Sequence, residues 1–238
     1  MWRWIVAGFL MLLSAAQATA GFDEAVAAIN DGKFTEAYEA FSVLAEEDDE
    51  RAQQALAWMY YDGQGRKRDF EKAAYWYRKA AEQNNITAQI NLAQMYAYGQ
   101  GITQDFVEAA RWWQKLAEQG DNKSQAALAG LYFQGKGVEK NMATAISLWR
   151  KAAEQGNIEA QRNLGLMYGK GQGVGQNDVQ AYAWLNAAAM QGDKVAEKSR
   201  DYASQQLTKA QLKEAELLAG QYVEKYVAAF EEENKKPH

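Results

Sequence analysis

Four short segments of the chain share one pattern and follow one another at equal intervals. They read MYYDGQG, MYAYGQG, LYFQGKG and MYGKGQG, and they start at Met59, Met95, Leu131 and Met167, so that the interval is 36 residues. A fixed period of this length is typical of repeat proteins, in which each copy is one supersecondary unit and stacked neighbours bury a continuous core. The sequence therefore predicts an array of four units between Arg51 and about Val195.

The first half of each unit has the pattern of an amphipathic helix, here called helix A. A small residue, a leucine and a tyrosine recur four residues apart, which places them on one face of a helix. These three positions are Ala52/Ala88/Ser124/Ala160, Leu56/Leu92/Leu128/Leu164 and Tyr60/Tyr96/Tyr132/Tyr168. Small residues at Ala57/Ala93/Ala129/Gly165 predict close approach of a neighbouring helix. Glycines at Gly63/Gly99/Gly135/Gly171, followed by Gly65/Gly101/Gly137/Gly173, predict a left-handed end to helix A.

The second half of each unit predicts another helix, helix B. It opens at good N-cap residues, Asp69/Asp105/Asn141/Asn177, and stops at Asn84/Gly120/Gly156/Gly192. Its inner stripe is Ala73/Ala109/Ala145/Ala181, Tyr77/Trp113/Trp149/Leu185 and Ala81/Ala117/Ala153/Ala189. The next residues, Asn85/Asp121/Asn157/Asp193, can cap the following helix A. Asp105 with Glu108 resembles a capping box.

The two ends of the array depart from the pattern, as terminal repeats do when they shield the core. Ala37, Phe41 and Ala45 keep the register of helix B, so residues 21–50 are expected to form an N-terminal capping helix pair. Residues 196–238 are expected to form C-terminal capping helices. The last of these begins at a capping box of Thr208 and Gln211. Its apolar stripe is Leu212, Ala215, Ala219, Tyr222, Tyr226 and Phe230.

The segments LGLMYGKGQGV, AAYWYRKAAEQ and LWRKAAEQG resemble the Sel-one-like repeat family, which is related to tetratricopeptide repeats. The resemblance covers nearly all of the chain after residue 20. It implies an all-α fold, a right-handed α/α solenoid of helix-turn-helix repeats. It also implies a function in protein–protein interaction, which is usual for such solenoids and often takes place beneath or beyond a bacterial inner membrane.

The N-terminal residues 1–20 have the features of a secretory signal peptide. Arg3 precedes a short apolar core from Ile5 to Leu13, and Ala18-Thr19-Ala20 is a small-residue cleavage site. The apolar core is shorter than the roughly 20 residues that a membrane span needs, and no cysteine near the cut can carry a lipid. We expect a periplasmic or secreted protein without a stable membrane anchor after cleavage.

The residue inventory restricts the chemistry that the chain can perform. It has no cysteine, its one histidine is the last residue, His238, and its net charge is −5. Catalytic Ser–His–Asp or Cys–His sets and zinc sites built on His or Cys are therefore excluded, and the acidic balance disfavours nucleic acid. The glycine turns follow helices and match no phosphate-binding motif. We expect no enzyme, no cofactor and no metal site.

With catalysis and metal binding disfavoured, the expected function is binding of a partner. We expect the partner at the variable positions of helix A. In the implied solenoid these helices line the concave surface, and large rings occur there at positions that packing does not restrict to one residue type. The candidate partner-binding residues are Gln54, Trp58, Tyr61, Gln94, Tyr98, Phe133, Arg162 and Leu166. The alternative for the rings is packing against the adjacent unit. The exposed basic turn Arg66-Lys67-Arg68 is a further possible contact for an anionic partner.

Three functions fit these observations. The preferred one is an exported scaffold or adaptor that binds a protein or peptide in envelope signalling or assembly. The alternatives are a cell-wall or polysaccharide-binding module and, least favoured, a β-lactam or cell-wall hydrolase. The oligomeric state does not follow from the sequence.

Overall fold

The computed structural model describes residues 21–228, and all regular structure within that range is helical. The predicted signal peptide, Phe230 and His238 lie outside the described residues. Residues 21–30 form α1. The following helices are α2 (Phe34–Glu46), α3 (Glu50–Asp62), α4 (Phe70–Glu82), α5 (Ile86–Tyr98), α6 (Phe106–Glu118), α7 (Asn122–Gln134), α8 (Met142–Glu154), α9 (Ile158–Lys170), α10 (Asp178–Met190), α11 (Lys194–Gln206) and α12 (Lys209–Val223). A π-helical turn, Glu224–Ala228, follows α12.

The chain divides within α6 into two compact units, a first unit of Met1–Trp112 and a second unit of Trp113–His238. Consecutive helices pack against one another from α2 to α5 in the first unit and from α7 to α11 in the second, and α12 packs on α10. Helix A of the predicted repeat corresponds to α3, α5, α7 and α9, and helix B corresponds to α4, α6, α8 and α10. None of the described helices is both long and apolar enough to span a membrane.

The helices begin where the sequence predicts, because capping side chains satisfy the amide groups of each first turn. Asp69, Asn141 and Asn177 each accept a hydrogen bond from the backbone amide three residues later. The helix-A caps Asn85, Asp121 and Asn157 do the same. The predicted helix ends are also confirmed: the glycines at 63, 99, 135 and 171 have φ angles of 83°, 66°, 71° and 63°.

One predicted cap differs from its expected form. Asp105 accepts hydrogen bonds from the amides of Val107 and Glu108, as a cap does. The capping-box prediction is wrong in its other bond, which would join the Asp105 amide to the Glu108 carboxylate. The amide of Asp105 donates instead to the carbonyl of Tyr96, 2.9 Å away, and the Glu108 carboxylate pairs with Arg111 at 2.8 Å. The N-cap amides of α4, α8 and α10 make the same bond to the tyrosine that ends the repeating helix-A stripe.

The predicted inner stripes form the cores of both units. In the first unit Phe41, Leu56, Tyr77 and Leu92 are almost fully buried. In the second unit Trp149 and Leu164 belong to one buried cluster. The terminal pair is in register as predicted, because Ala37, Phe41 and Ala45 are buried and Phe22 of α1 meets Phe41 edge-on at 5.4 Å.

The second glycine of the first and second turns permits backbone contact with the preceding helix B. An added Cβ on Gly101 would lie 2.1 Å from the carbonyl oxygen of Phe70, and one on Gly65 would lie 2.6 Å from that of Phe34. Both glycines also have positive φ, 68° and 70°. Steric space and backbone conformation therefore require glycine at the same place.

The C-terminal helix α12 covers the last helix B, α10. Thr208 and Gln211 form the predicted capping box. The rings of Tyr222 and Tyr226 lie 4.3 Å and 5.5 Å from the buried Trp184. The Tyr222 hydroxyl donates to Oε1 of Gln180 at 2.8 Å. The predicted apolar stripe of this helix thus packs onto the last repeat as far as the structure describes it.

A set of buried glutamines, which the sequence analysis did not single out, joins successive helix pairs. Gln53, Gln89, Gln125 and Gln161 are each at most 3% exposed. Their amide nitrogens donate to carbonyls near the end of the preceding helix B, those of Ala45, Ala81, Ala117 and Ala153, at 3.0–3.2 Å. The amides of Gln83, Gln155 and Gln191 donate in turn to Oε1 of Gln53, Gln125 and Gln161. These hydrogen bonds link three consecutive helices through one side chain.

Replacing Gln161 by leucine should destabilise the protein by about 1–2 kcal/mol. Leucine has a similar size, so the change removes hydrogen bonds to Ala153 and Gln191 without opening a large cavity. The free energy of unfolding in urea measures the effect. Gln172→Leu, at an exposed position of the turn after α9, is the control and should stay within about 0.5 kcal/mol of wild type. Equal midpoints for the two variants would contradict a linking role for Gln161.

Candidate protein-interaction surface

The candidate residues of the first unit differ in how freely they face solvent. Tyr61 meets Phe70 edge-on at 5.1 Å and donates its hydroxyl proton to Gln100 Oε1 at 3.1 Å. Gln54 and Trp58 are half-buried, whereas Gln94 is exposed and the Tyr98 ring is 72% exposed. Tyr61 therefore has a packing partner, and Tyr98 offers its ring to solvent.

Two candidate residues of the second unit, Phe133 and Arg162, form contacts with other side chains of that unit. Phe133 lies 5.4 Å from the ring of Trp149 and packs against the core cluster of this unit. Arg162 forms an ion pair with Asp193, the N-cap of α11. Burial alone would raise the pKa of Asp193, but hydrogen bonds from the Ala196 amide and Arg162 outweigh it and lower that pKa. Arg162 thus stabilises the start of α11.

Leu166 lines a groove in the second unit between α9, α10 and α11, the α9–α11 groove. Its volume is about 620 Å³. Its lining includes Leu166, Gly169 and Lys170 of α9, Asp178, Ala181 and Leu185 of α10, and Lys198 and Tyr202 of α11. The Tyr202 ring is 66% exposed. The groove combines an apolar floor, an exposed ring and two lysines that form no ion pair with the described residues.

Two glycines of α9 shape this groove for different reasons. An added Cβ on Gly165 would lie 2.5 Å from Cγ of Leu185, so Gly165 lets α10 approach, as its small size predicts. An added Cβ on Gly169 would have its nearest neighbour, Ala181 Cβ, at the ordinary contact distance of 3.6 Å. The equivalent position of the preceding repeat holds Phe133, so the missing ring at Gly169 leaves the space open.

Tyr202 and Lys198 were missed because residues after 195 were expected to leave the repeat. Instead, α11 has the 13-residue length of the helix-A segments and begins at the equivalent aspartate cap. The periodic signal was present in the sequence. Tyr202 follows Leu166 by 36 residues and so continues the row of Trp58, Gln94, Gly130 and Leu166.

Repeated helix pairs joined by glycine turns define an α-helical repeat protein of the tetratricopeptide-like class. The model of the Sel1 repeat matches residues 50–85, 86–121, 122–157 and 158–193. The chain belongs to the Sel1 repeat family, and its fold is the predicted all-α solenoid of helix-turn-helix repeats. Repeats of this family generally serve as scaffolds for protein interaction.

One solved structure supports this assignment, and two others show more distant likenesses. A Sel1 repeat protein from Oxalobacter formigenes is 31% identical, with a TM-score of 0.69 and 84% of each chain covered. The protective antigen c5321 of uropathogenic Escherichia coli is 26% identical over 86% of this chain and 68% of its own, with a TM-score of 0.40. Immunity protein Pa5087 of Pseudomonas aeruginosa is 21% identical over 87% and 82% of the two chains, with a TM-score of 0.45. The last two likenesses carry no weight for function.

No curated protein matches the chain at a significant level. Among residues 21–228, no group of three or more His, Cys, Asp or Glu side chains is placed to hold a metal ion.

The two glycines of α9 should respond oppositely to the same substitution. Gly165→Ala should destabilise the protein by about 1–3 kcal/mol, because the new methyl group overlaps Leu185 in a packed core. Gly169→Ala should instead stabilise it by up to about 1 kcal/mol, since alanine is the better helix former and the site has room. Thermal or urea unfolding measures both. A stabilising Gly165→Ala would mean that α10 does not approach α9 as closely as described.

Proposed function

We propose that this chain is an exported, non-enzymatic scaffold that binds a protein or peptide partner in the cell envelope. The α9–α11 groove carries the proposal, because it places apolar anchoring surface beside hydrogen-bonding and charged groups on helix-A segments. Aromatic side chains in such positions dominate the binding energy of many interfaces. Leu166 and Tyr202 are the proposed anchors, and Gly169 leaves room for an apolar side chain of the partner between them.

The two lysines at the edges of the groove favour a partner segment with a carboxylate next to its apolar anchor. Lys170 borders the groove at the end of α9, and Lys198 borders it on α11. Neither forms an ion pair with a described residue. A carboxylate at the rim of an apolar contact would guide orientation and association more than it would add affinity.

Export should be visible in the mass of the mature protein. The charged start, short apolar core and small-residue site of residues 1–20 support cleavage after Ala20, with Gly21 as the first residue. Mass spectrometry of the protein recovered from the periplasm or medium of its producing cells measures this. A cytoplasmic protein that retains residues 1–20 would overturn export and an envelope role.

Partner binding should depend on the α9–α11 groove. With the mature chain as bait for envelope extracts, the double variant Leu166→Ala/Tyr202→Ala should weaken binding of the captured protein by at least about 2 kcal/mol, close to thirtyfold. Titration calorimetry gives the affinity, and circular dichroism checks the fold. Gly169→Phe, which restores the ring of the preceding repeat, should block the groove and weaken binding as well.

Tyr75→Ala is the matched control, since Tyr75 is an exposed tyrosine on the helix-B segment α4. It should bind as wild type does. Loss of binding in this variant, together with normal binding by the groove variants, would exclude the groove as the partner site. Retention of the chain on purified cell wall, with no protein captured, would instead support the polysaccharide-binding alternative.

A further inference from the structure

The turn between α3 and α4 carries three exposed cations that form no ion pair with the residues that the structure describes. They are Arg66, Lys67 and Arg68. In the first unit the described ion pairs join Lys33, Arg51, Lys72 and Arg111 to acidic side chains, and none involves this turn. Unpaired arginines are notable in a chain with a net charge of −5, where acidic partners are available elsewhere on the surface.

Arg66 occupies a position that is apolar in every other copy. The residues at successive intervals of 36 are Ile102, Val138 and Val174. In the fourth copy, Val174 packs against the core cluster that contains Ile146 of α8. The same side of the first turn therefore has an arginine where the repeat normally places a packing residue.

The helix that precedes this turn, α2, also has a different residue where it faces Arg66. Tyr38 of α2 stands where α4, α6 and α8, the helices that precede the other three turns, have Ala74, Ala110 and Ile146; α10 again has a tyrosine, Tyr182. The guanidinium carbon of Arg66 lies 4.1 Å from the centre of the Tyr38 ring. A cation–π pair thus replaces the aliphatic contact of the fourth copy, and stacking on the ring holds the planar guanidinium in place.

Further contacts hold this arrangement in place. The hydroxyl groups of Tyr38 and Tyr60 are 2.7 Å apart, and their rings meet edge-on. Burial alone would raise the pKa of the Tyr38 phenol, yet hydrogen bonds from Ser42 and Tyr60 and the charge of Arg66 lower it. Arg68 lies over the ring of Phe70 at 5.6 Å. Both arginines are therefore supported by aromatic faces before any partner arrives.

We propose that the turn of Arg66, Lys67 and Arg68 is a recognition site for an acidic peptide segment of a protein partner. A preformed guanidinium fork matches a carboxylate in a bidentate manner, and an aromatic support reduces the entropy lost on binding. Three cations are fewer than the about four to eight that anionic membranes require, and the acidic chain disfavours nucleic acid. The inference deepens the proposed scaffold function by naming a class of partner segment, but it concerns a different surface from the α9–α11 groove.

The test uses the mature chain and a fluorescein-labelled peptide of alternating Glu and Ala residues. Fluorescence anisotropy should show binding that weakens as salt is added, and a matched Gln–Ala peptide should bind at least about tenfold more weakly. Arg66→Val and Arg68→Gln introduce residues that later repeats carry at the same positions, so both variants should remain folded by circular dichroism. Each should weaken binding about fivefold, the upper range for one exposed ion pair.

Lys140→Gln is the matched control, because Lys140 is exposed at the position of the third repeat that corresponds to Arg68. It changes the net charge equally and should bind the peptide within about twofold of wild type. An equal loss in Lys140→Gln and Arg68→Gln would show a net-charge effect and overturn the site. Wild-type affinity in folded Arg66→Val would also overturn it, as would binding to anionic phospholipid vesicles in place of the peptide. The probe in this experiment is a defined peptide and not the captured partner. A negative result would therefore overturn the turn as a recognition site without affecting the test of the α9–α11 groove.

Discussion

One buried amide in each helix-A segment joins the repeats of this protein. A glutamine side chain reaches across to a carbonyl near the end of the preceding helix B, as Gln53 does to Ala45 and Gln161 does to Ala153. A buried amide without partners would cost free energy, so the helices must keep the positions that supply those partners. Alanine and leucine provide the buried area, but their contacts tolerate small shifts. The hydrogen bonds of the glutamine restrict the relative placement of consecutive helices more narrowly.

Close helix approach is the second condition, and it depends on small residues. Gly165 meets Leu185 without room for a Cβ atom, and Gly65 and Gly101 bring each turn onto the backbone of the preceding helix B. The repeat can therefore vary only where side chains do not take part in these contacts. Gly169 opens a groove where the preceding repeat has Phe133, and Arg66 brings a charge to a site that is otherwise apolar. Both proposed recognition surfaces arise at such departures from the repeated pattern.

The exposed rings show how packing separates residues that look equivalent in the sequence. Tyr61 and Phe133 contact Phe70 and Trp149, while Tyr98 remains largely exposed. Tyr61 and Phe133 thus have packing partners, whereas the exposure of Tyr98 leaves its ring accessible to a partner. Their role in binding stays a prediction. Arg162 is held by Asp193 at the start of α11, a contact that stabilises the border of the groove whether or not a partner is present.

The 36-residue period by itself determined the helix pairs, their caps and the buried stripes, because these features depend on contacts within a helix or between helices adjacent in the chain. It also held the signals for Gln53 and Tyr202, since Gln53 recurs at the period and Tyr202 falls on the variable row of Trp58 and Leu166, although their importance shows only in the fold. The tertiary structure alone decided that the amide of Asp105 donates to the Tyr96 carbonyl and not to the Glu108 carboxylate, that a groove opens at Gly169, and that Arg66 stacks on Tyr38. Each of these outcomes depends on distances between side chains or backbone groups of different helices. Spacing along the chain does not specify such distances. Which of several neighbouring groups forms a given hydrogen bond, or fills a given space, is determined only when the helices pack.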